Sequence, residues 1–87
     1  MKRIEKKTWP EYFQKILDGD KTYEDRLADF ECEEGDVLVL KEWNPDTKEY
    51  TGREVEKEVT SIFNTKDTTF WNKEEVEKYG LYVMSIK

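Results

Sequence analysis

Gly35-Asp36-Val37-Leu38-Val39-Leu40-Lys41-Glu42-Trp43-Asn44-Pro45-Asp46-Thr47 is the stretch from which the fold is read. Gly35-Asp36 is turn chemistry, and the aliphatic run behind it is apolar on both faces of an extended chain. A strand covered on both sides belongs in the middle of a sheet. It runs on to Trp43. Asn44-Pro45-Asp46-Thr47 then breaks it, because Pro lacks a backbone donor and Asn and Asp favour turns. The chain therefore doubles back as a hairpin. The return strand, 49–63, carries Val55, Val59 and Phe63 at even spacing with Glu54, Glu56 and Glu58 between them. Successive side chains of a strand point to opposite faces, so one face is buried and the other holds carboxylates in water. Gly52 marks a bulge within it.

Working upstream, residues 4–9 alternate Ile4, Lys6 and Thr8 against Glu5, Lys7 and Trp9, a strand with one wet face. Thr8-Trp9-Pro10-Glu11 reads as a helix start, with Thr8 as cap, Glu11 completing the capping box and Pro10 where a missing N–H costs nothing. Tyr12, Phe13, Ile16 and Leu17 follow at helical spacing, and Gly19 stops the helix by accepting a left-handed conformation. Residues 22–27 form a short strand with Thr22, Glu24 and Arg26 on one face and Tyr23, Asp25 and Leu27 on the other. An acidic loop, 28–34, leads back to Gly35. Downstream, Asn72-Lys73-Glu74-Glu75 is a second cap, Trp71 and Val76 have the spacing of a hydrophobic staple, and the helix ends at Gly80. Residues 81–86 make the last strand. The order β-α-β-β-β-α-β predicts one α+β domain over 1–87. Its expected form is a small curved antiparallel sheet or partly closed β-barrel with two short helices.

The composition bounds what such a domain does. Only 36% of residues are hydrophobic and 41% are charged, but Trp, Tyr and Phe make up 14%. Aromatic side chains bury about 150–250 Å² each, enough to build one modest core. No apolar run is long enough to span a membrane. The opening Met1-Lys2-Arg3-Ile4-Glu5-Lys6-Lys7 has no apolar segment behind its charges and does not read as a signal peptide. Cys32 is the sole cysteine, and Glu31, Glu33 and Glu34 beside it disfavour a thiolate. The chain contains no His, which removes imidazole general-base chemistry and most zinc sites. A reducing cytoplasm is the expected home, with no metal and no cofactor. The formal charge of −6 disfavours non-specific DNA binding, which depends on neutralising many phosphates.

Candidate chemistry falls into three groups. Glu31, Glu33, Glu34 and Asp36 lack the ligand alternation of a calcium loop and read as solvated loop charge, as do Glu54, Glu56 and Glu58 on their strand. Among the aromatics, Trp9, Tyr12, Trp43, Tyr50, Phe70, Trp71 and Tyr82 serve either as core or as a base-stacking platform, with Trp43 and Tyr50 the exposed pair beside the hairpin turn. The segment Gly19-Asp20-Lys21-Thr22-Tyr23-Glu24-Asp25-Arg26 is the third. Lys21 on the turn and Glu24 and Arg26 on one strand face converge, and an ammonium, a carboxylate and a guanidinium together bind phosphate or a base edge. The bland alternative is a surface ion pair worth under about 1 kcal/mol.

The pattern Gly19-x-Lys21-x-x-Glu24-x-Arg26 after a short helix, followed by Gly35-Asp36-Val37-Leu38 opening a strand, resembles the ASCH domain of the PUA-like superfamily. The run from Lys41-Glu42-Trp43 through Gly52-Arg53 is similar to a small ASCH-related family of unknown function. Together the likenesses cover about the first three-quarters of the chain. The resemblance implies a PUA-like barrel with a cleft lined by the signature residues. It also implies binding of RNA or a modified nucleoside by Lys21, Glu24 and Arg26; Thr22 on the same strand face and Trp43 beside the hairpin turn are the further candidate ligand-binding residues. Some bacterial relatives are amidohydrolases that remove the acetyl group of N4-acetylcytidine, with a Lys at the place of Lys21, a Thr at the place of Glu24 and a later Glu. Here Glu24 stands where that Thr would be, and Glu74 or Glu75 is the candidate later carboxylate. A hydrolase with Lys21 and Glu24 as catalytic residues is thus the alternative reading. A carboxylate-rich module for a basic protein partner is the second alternative.

Overall fold

A computed structural model describes residues 1–67 and 80–87. The elements are β1 (Arg3–Thr8), α1 (Pro10–Leu17), β2 (Tyr23–Leu27), β3 (Val37–Asn44), β4 (Glu49–Asn64), a short 3-10 turn (Thr65–Asp67) and β5 (Leu81–Ile86). The helix expected to start at Asn72 lies outside the described residues, so α1 is the helix the architecture is built on. The strands form one curved five-stranded sheet in the order β1-β3-β4-β5-β2.

The aliphatic run does sit in the centre: β3 lies between β1 and β4, and Leu38, Val39 and Leu40 are buried. The expectation of an antiparallel sheet fails at β1, which pairs with β3 in parallel, Arg3 opposite Val37 through Thr8 opposite Glu42, so the curved sheet is mixed. The reason is connectivity. Parallel neighbours need a long crossover, and α1, β2 and the acidic loop supply it between Thr8 and Val37.

The long β4 makes the sheet curve. Its first part pairs with β3, from Asn44 opposite Glu49 to Val37 opposite Glu58, and its second part pairs with β5, from Val59 opposite Ile86 to Asn64 opposite Tyr82. The register shifts between Val59 and Ser61. An extra residue there bends the strand and exchanges its faces. This overturns part of the sequence reading: Val59 is buried, but Phe63 is half exposed and Ile62 packs against the core in its place. A second register shift, opposite Lys41 and Trp43, falls where Gly52 adopts φ 96°, as the bulge reading required.

One cluster of Ile16, Leu38, Leu40, Val59, Met84 and Ile86 forms the core, with Ile4, Phe30, Cys32, Val55, Ile62 and Tyr82 packed around it. Helix α1 contributes Phe13 and Ile16 to the interior, whereas Tyr12 and Leu17 are nearly half exposed, so its apolar stripe is narrower than the spacing suggested. Thr8 does not cap it. Trp9 occupies the cap position without a side-chain cap bond, and the helix opens with the Phe13 N–H donating to the Trp9 carbonyl at 2.9 Å. Thr8 is the inward-facing last residue of β1, 3% exposed, and its hydroxyl is turned elsewhere.

The acidic loop is not all solvated. Asp36 is buried, accepting from the backbone N–H groups of Lys2 at 2.8 Å and Glu33 at 2.9 Å. Those two donors hold its carboxyl below the usual range. Glu42, likewise buried, is held down first by the Arg53 guanidinium and then by the Thr51 hydroxyl. Both groups bind a proton less readily folded than unfolded, so their stabilisation is complete above the ordinary carboxyl range and lost as pH falls through the depressed values. Urea unfolding followed from pH 7 down to about pH 2 should therefore show stability falling once pH passes below about 4. An Asp36→Asn, Glu42→Gln double variant should be less stable at pH 7 and show a flatter acid limb. An unchanged limb in that variant would show that other carboxylates govern acid unfolding.

Cys32 follows the sequence expectation in direction but not in cause. Burial raises its thiol first, and Asp36 second, ahead of any effect of Glu33.

Candidate functional site

The signature segment begins where α1 ends. Gly19 takes φ 80°, and the Asp20 and Lys21 N–H groups both donate to the Lys15 carbonyl, at 3.0 and 3.1 Å. This closes the helix and delivers Lys21 to the start of β2. Alternation along β2 then turns Glu24 and Arg26 toward the sheet interior, where they lie opposite Met84 and Tyr82 of β5. Thr22 is exposed and uses its carbonyl to accept from the Ile86 N–H at 3.0 Å.

Lys21, Glu24 and Arg26 meet. The Lys21 ammonium donates to Glu24 Oε1 at 2.9 Å and to the Tyr23 carbonyl at 2.7 Å, and Arg26 Nε donates to Glu24 Oε2 at 2.7 Å. The side chains are 12%, 4% and 24% exposed respectively, so the carboxylate is buried beneath two cations that reach solvent. Arg26 Nη2 also donates to Thr8 Oγ1 at 3.2 Å. That bond spans the open seam of the sheet, because β1 and β2 are its two edges. Sequence reasoning assigned Thr8 to helix capping and missed this role. The signal available was its inward position in the β1 alternation, shared with Ile4.

The seam is a cleft of about 500 Å³ lined by Lys7, Thr8, Trp9, Tyr12, Lys21, Tyr23, Glu24, Asp25 and Arg26. This volume lies within the usual range for small-ligand sites. Three of its walls are aromatic and half open: Trp9 is 49%, Tyr12 46% and Tyr23 53% exposed. The Lys21 ammonium lies 4.5 Å from the Tyr23 ring centre, a cation–π contact that fixes the ring's orientation. Both oxygens of Glu24 are committed to the two cations. Among the described residues, Arg26 Nη1 has no acceptor. Lys7, Lys21 and Arg26 outnumber Glu24 and Asp25 as lining charges. The cleft therefore offers charge-assisted donors, a cationic surplus and flat apolar walls within an acidic chain.

Trp43 does not line this cleft. It pairs across the hairpin with Tyr50 on the outer side of β3 and β4, where the Lys7 ammonium lies 4.6 Å from its ring centre. Trp43 is half buried and Tyr50 is 55% exposed, so only the tyrosine of that pair is open. Trp9 and Tyr12, carried in by the start of α1, are the aromatic residues beside the triad. Tyr82 packs edge-on against Phe30 as part of the core. Phe70, Trp71, Glu74 and Glu75 lie outside the described residues. Glu54, Glu56 and Glu58 are exposed on β4, with Glu56 paired to Arg3.

A second ionic group, unanticipated from sequence, braces the helix. Arg53 donates from Nε and Nη2 to the two oxygens of Glu42 at 2.9 and 2.8 Å, and the Thr51 hydroxyl adds a bond at 2.6 Å. The guanidinium lies 5.0 Å from the centre of the Phe13 ring and also reaches the Gln14 side chain. The register shift at Gly52 precedes Arg53, whose guanidinium covers the buried Glu42 carboxylate while its side chain stays half exposed.

Comparison with known proteins gives three findings. Residues 5–86 match the model of a family described as a domain of unknown function, DUF3850. A protein of Escherichia phage P2, described as an uncharacterized 12.9 kDa protein in the GpA 3′ region, is 38% identical over 63 residues, which cover 72% of this chain and 56% of that protein. The matched part thus spans a little over half of the phage protein's length. The crystal structure of hypothetical protein PH0355 superposes with a TM-score of 0.66 at 18% identity, covering 98% of this chain and 97% of that one, a likeness of fold alone.

Proposed function

This chain belongs to the DUF3850 family, and we propose that its seam cleft binds RNA or a modified nucleotide, in keeping with an ASCH-like, PUA-like ancestry. The observation that carries this reading is the convergence of Lys21, Glu24 and Arg26 in a recess walled by half-exposed Trp9, Tyr12 and Tyr23. A nucleotide has two recognisable parts, an anionic phosphate and a flat base. The unspent donors of Arg26 and Lys21 suit the phosphate or the acceptor edge of a base. The aromatic walls suit the base face, at about 1–3 kcal/mol per stacked base. Glu24 holds the two cations apart at fixed positions, so that little order remains to be imposed on binding.

The hydrolase alternative requires Lys21 to act on water. In the cleft its ammonium is a donor to Glu24 and to the Tyr23 carbonyl, an arrangement that supports holding a ligand over activating a nucleophile. Incubation with N4-acetylcytidine separates the two readings: release of cytidine above that of a Lys21→Ala control would favour hydrolysis.

Binding is tested by titrating isotopically labelled protein with short RNA oligomers and ribonucleotides. Amide shifts should concentrate in Trp9–Tyr12 and Lys21–Arg26, and Arg26→Ala should weaken binding at least tenfold, a loss of about 1.4 kcal/mol or more. Shifts confined to β4, or none at all, would end the proposal.

A further inference from the structure

We propose that the seam cleft adjoins a second subsite on the outer face of β1, β3 and β4, so that the ligand is a single-stranded oligonucleotide and not a lone nucleotide. This inference rests on the reading of the seam cleft as a nucleotide site and extends it to a stretch of chain.

A hollow of about 390 Å³ lies on that face, lined by Glu5, Lys6, Lys7, Lys41 and Tyr50. Lys7 lines both this hollow and the seam cleft, so the two are neighbours that share one lysine. Lys7 and Lys41 are register partners on adjacent strands, about 4.8 Å apart at the backbone. Lys41 is paired with Glu5 at 2.6 Å, whereas Lys7 makes no ion pair among the described residues. The Lys7 ammonium instead lies over aromatic rings, 4.6 Å from the centre of Trp43 and 5.9 Å from that of Tyr50. The Lys41 ammonium lies 6.0 Å from the Tyr50 ring centre.

The chemistry repeats that of the first cleft. A half-exposed tyrosine face stands beside cations, and Lys7 and Lys41 stand beside one carboxylate, Glu5, in a chain of net charge −6, while the Lys6 ammonium lies over the Phe30 ring at 3.6 Å. Non-specific use of phosphate would scatter lysines over the surface. Here one lysine, without an ion pair among the described residues, is shared by two aromatic recesses, where a phosphodiester linking two stacked bases would pass. Single-stranded nucleic acid is held by this alternation of cation and aromatic face.

The test compares the four ribonucleoside 5′-monophosphates with the corresponding ribotetranucleotides by calorimetry or tryptophan fluorescence. The tetranucleotides should bind at least tenfold more tightly. Their log-affinity should fall more steeply with log salt, by about 0.7 for each further phosphate engaged. Tyr50→Leu, at an exposed position, and Lys41→Ala, at a partly exposed one, should each remove most of that gain and leave mononucleotide affinity unchanged. That unchanged affinity also reports an intact fold. Equal affinity for the two probes, or a gain that survives both substitutions, overturns the second subsite and leaves the first reading standing. Failure of both probes to bind overturns the nucleotide reading of the seam cleft, and this inference with it.

Discussion

Replacing Glu24 with Ala should destabilise the protein by about 3 kcal/mol and abolish ligand binding, a larger effect than any other single change at the cleft. Glu24 is 3% exposed, opposite core residue Met84 on the neighbouring strand, and each of its oxygens accepts from a different cation. Removing it leaves the Lys21 ammonium and the Arg26 guanidinium facing one another across a small cavity. Like charges in a half-desolvated recess repel, and the other carboxylate lining the cleft, Asp25, pairs with neither of them. A small domain of this length has a total stability on the order of 4–13 kcal/mol, so the loss is a large share of it. The melting temperature should fall by roughly 12–24 °C. Glu24→Gln keeps the volume and one acceptor and should fall between wild type and Ala. Asp25→Ala, one residue on but facing outward, should stay within about 0.5 kcal/mol. Urea unfolding of the three variants decides the matter. A Glu24→Ala protein as stable as Asp25→Ala would mean that the triad is an ordinary surface pair after all.

The sequence made the centre of this molecule legible because periodicity reports burial. The Val37–Leu40 run could only be a central strand, the Asn44–Thr47 break could only be a turn, and Glu24 and Arg26 shared a face by the simple period of a strand. Glycines were equally informative: Gly19 and Gly52 mark the helix end and the bulge where positive φ is needed. What could not be read was pairing. Nothing local distinguishes a β1 that pairs in parallel with β3 from one that does not, since partner choice depends on how the intervening chain crosses over. The bulge after Val59 was invisible for a related reason. It carries no glycine, and a one-residue shift exchanges Phe63 for Ile62 on the core face. Thr8 was misassigned because a helix-capping pattern and an inward strand position coincide on one residue, and the Arg26 guanidinium decided between them. Glu42 and Arg53 look like two more surface charges in a chain rich in them, and only the curvature of the hairpin brings them beneath α1.

That ionic brace bears on the aromatic side of the cleft. Trp9 and Tyr12 reach the seam only because α1 is held down on β3, and two residues of the helix do the holding: Ile16 in the main core and Phe13 at the end nearest the cleft. Phe13 is 1% exposed, lies under the Arg53 guanidinium and is adjacent in sequence to Tyr12. Phe13→Ala should therefore cost about 3–5 kcal/mol, since it removes a fully buried ring and leaves a cavity that the surrounding β-structure is too stiff to fill. Phe13→Leu, which keeps most of the volume, should cost about 1 kcal/mol. The loss should be local before it is global. Amide exchange across α1 should accelerate in Phe13→Ala while β3 stays protected, because helix stability in a short element comes from the packed face and not from propensity. Ligand affinity should drop although Lys21, Glu24 and Arg26 are chemically untouched, with the drop restored by Phe13→Leu. If exchange in α1 and β3 rises together, or if the alanine variant binds as wild type does, then the helix is not the element that positions the aromatic wall, and the cationic triad carries recognition by itself.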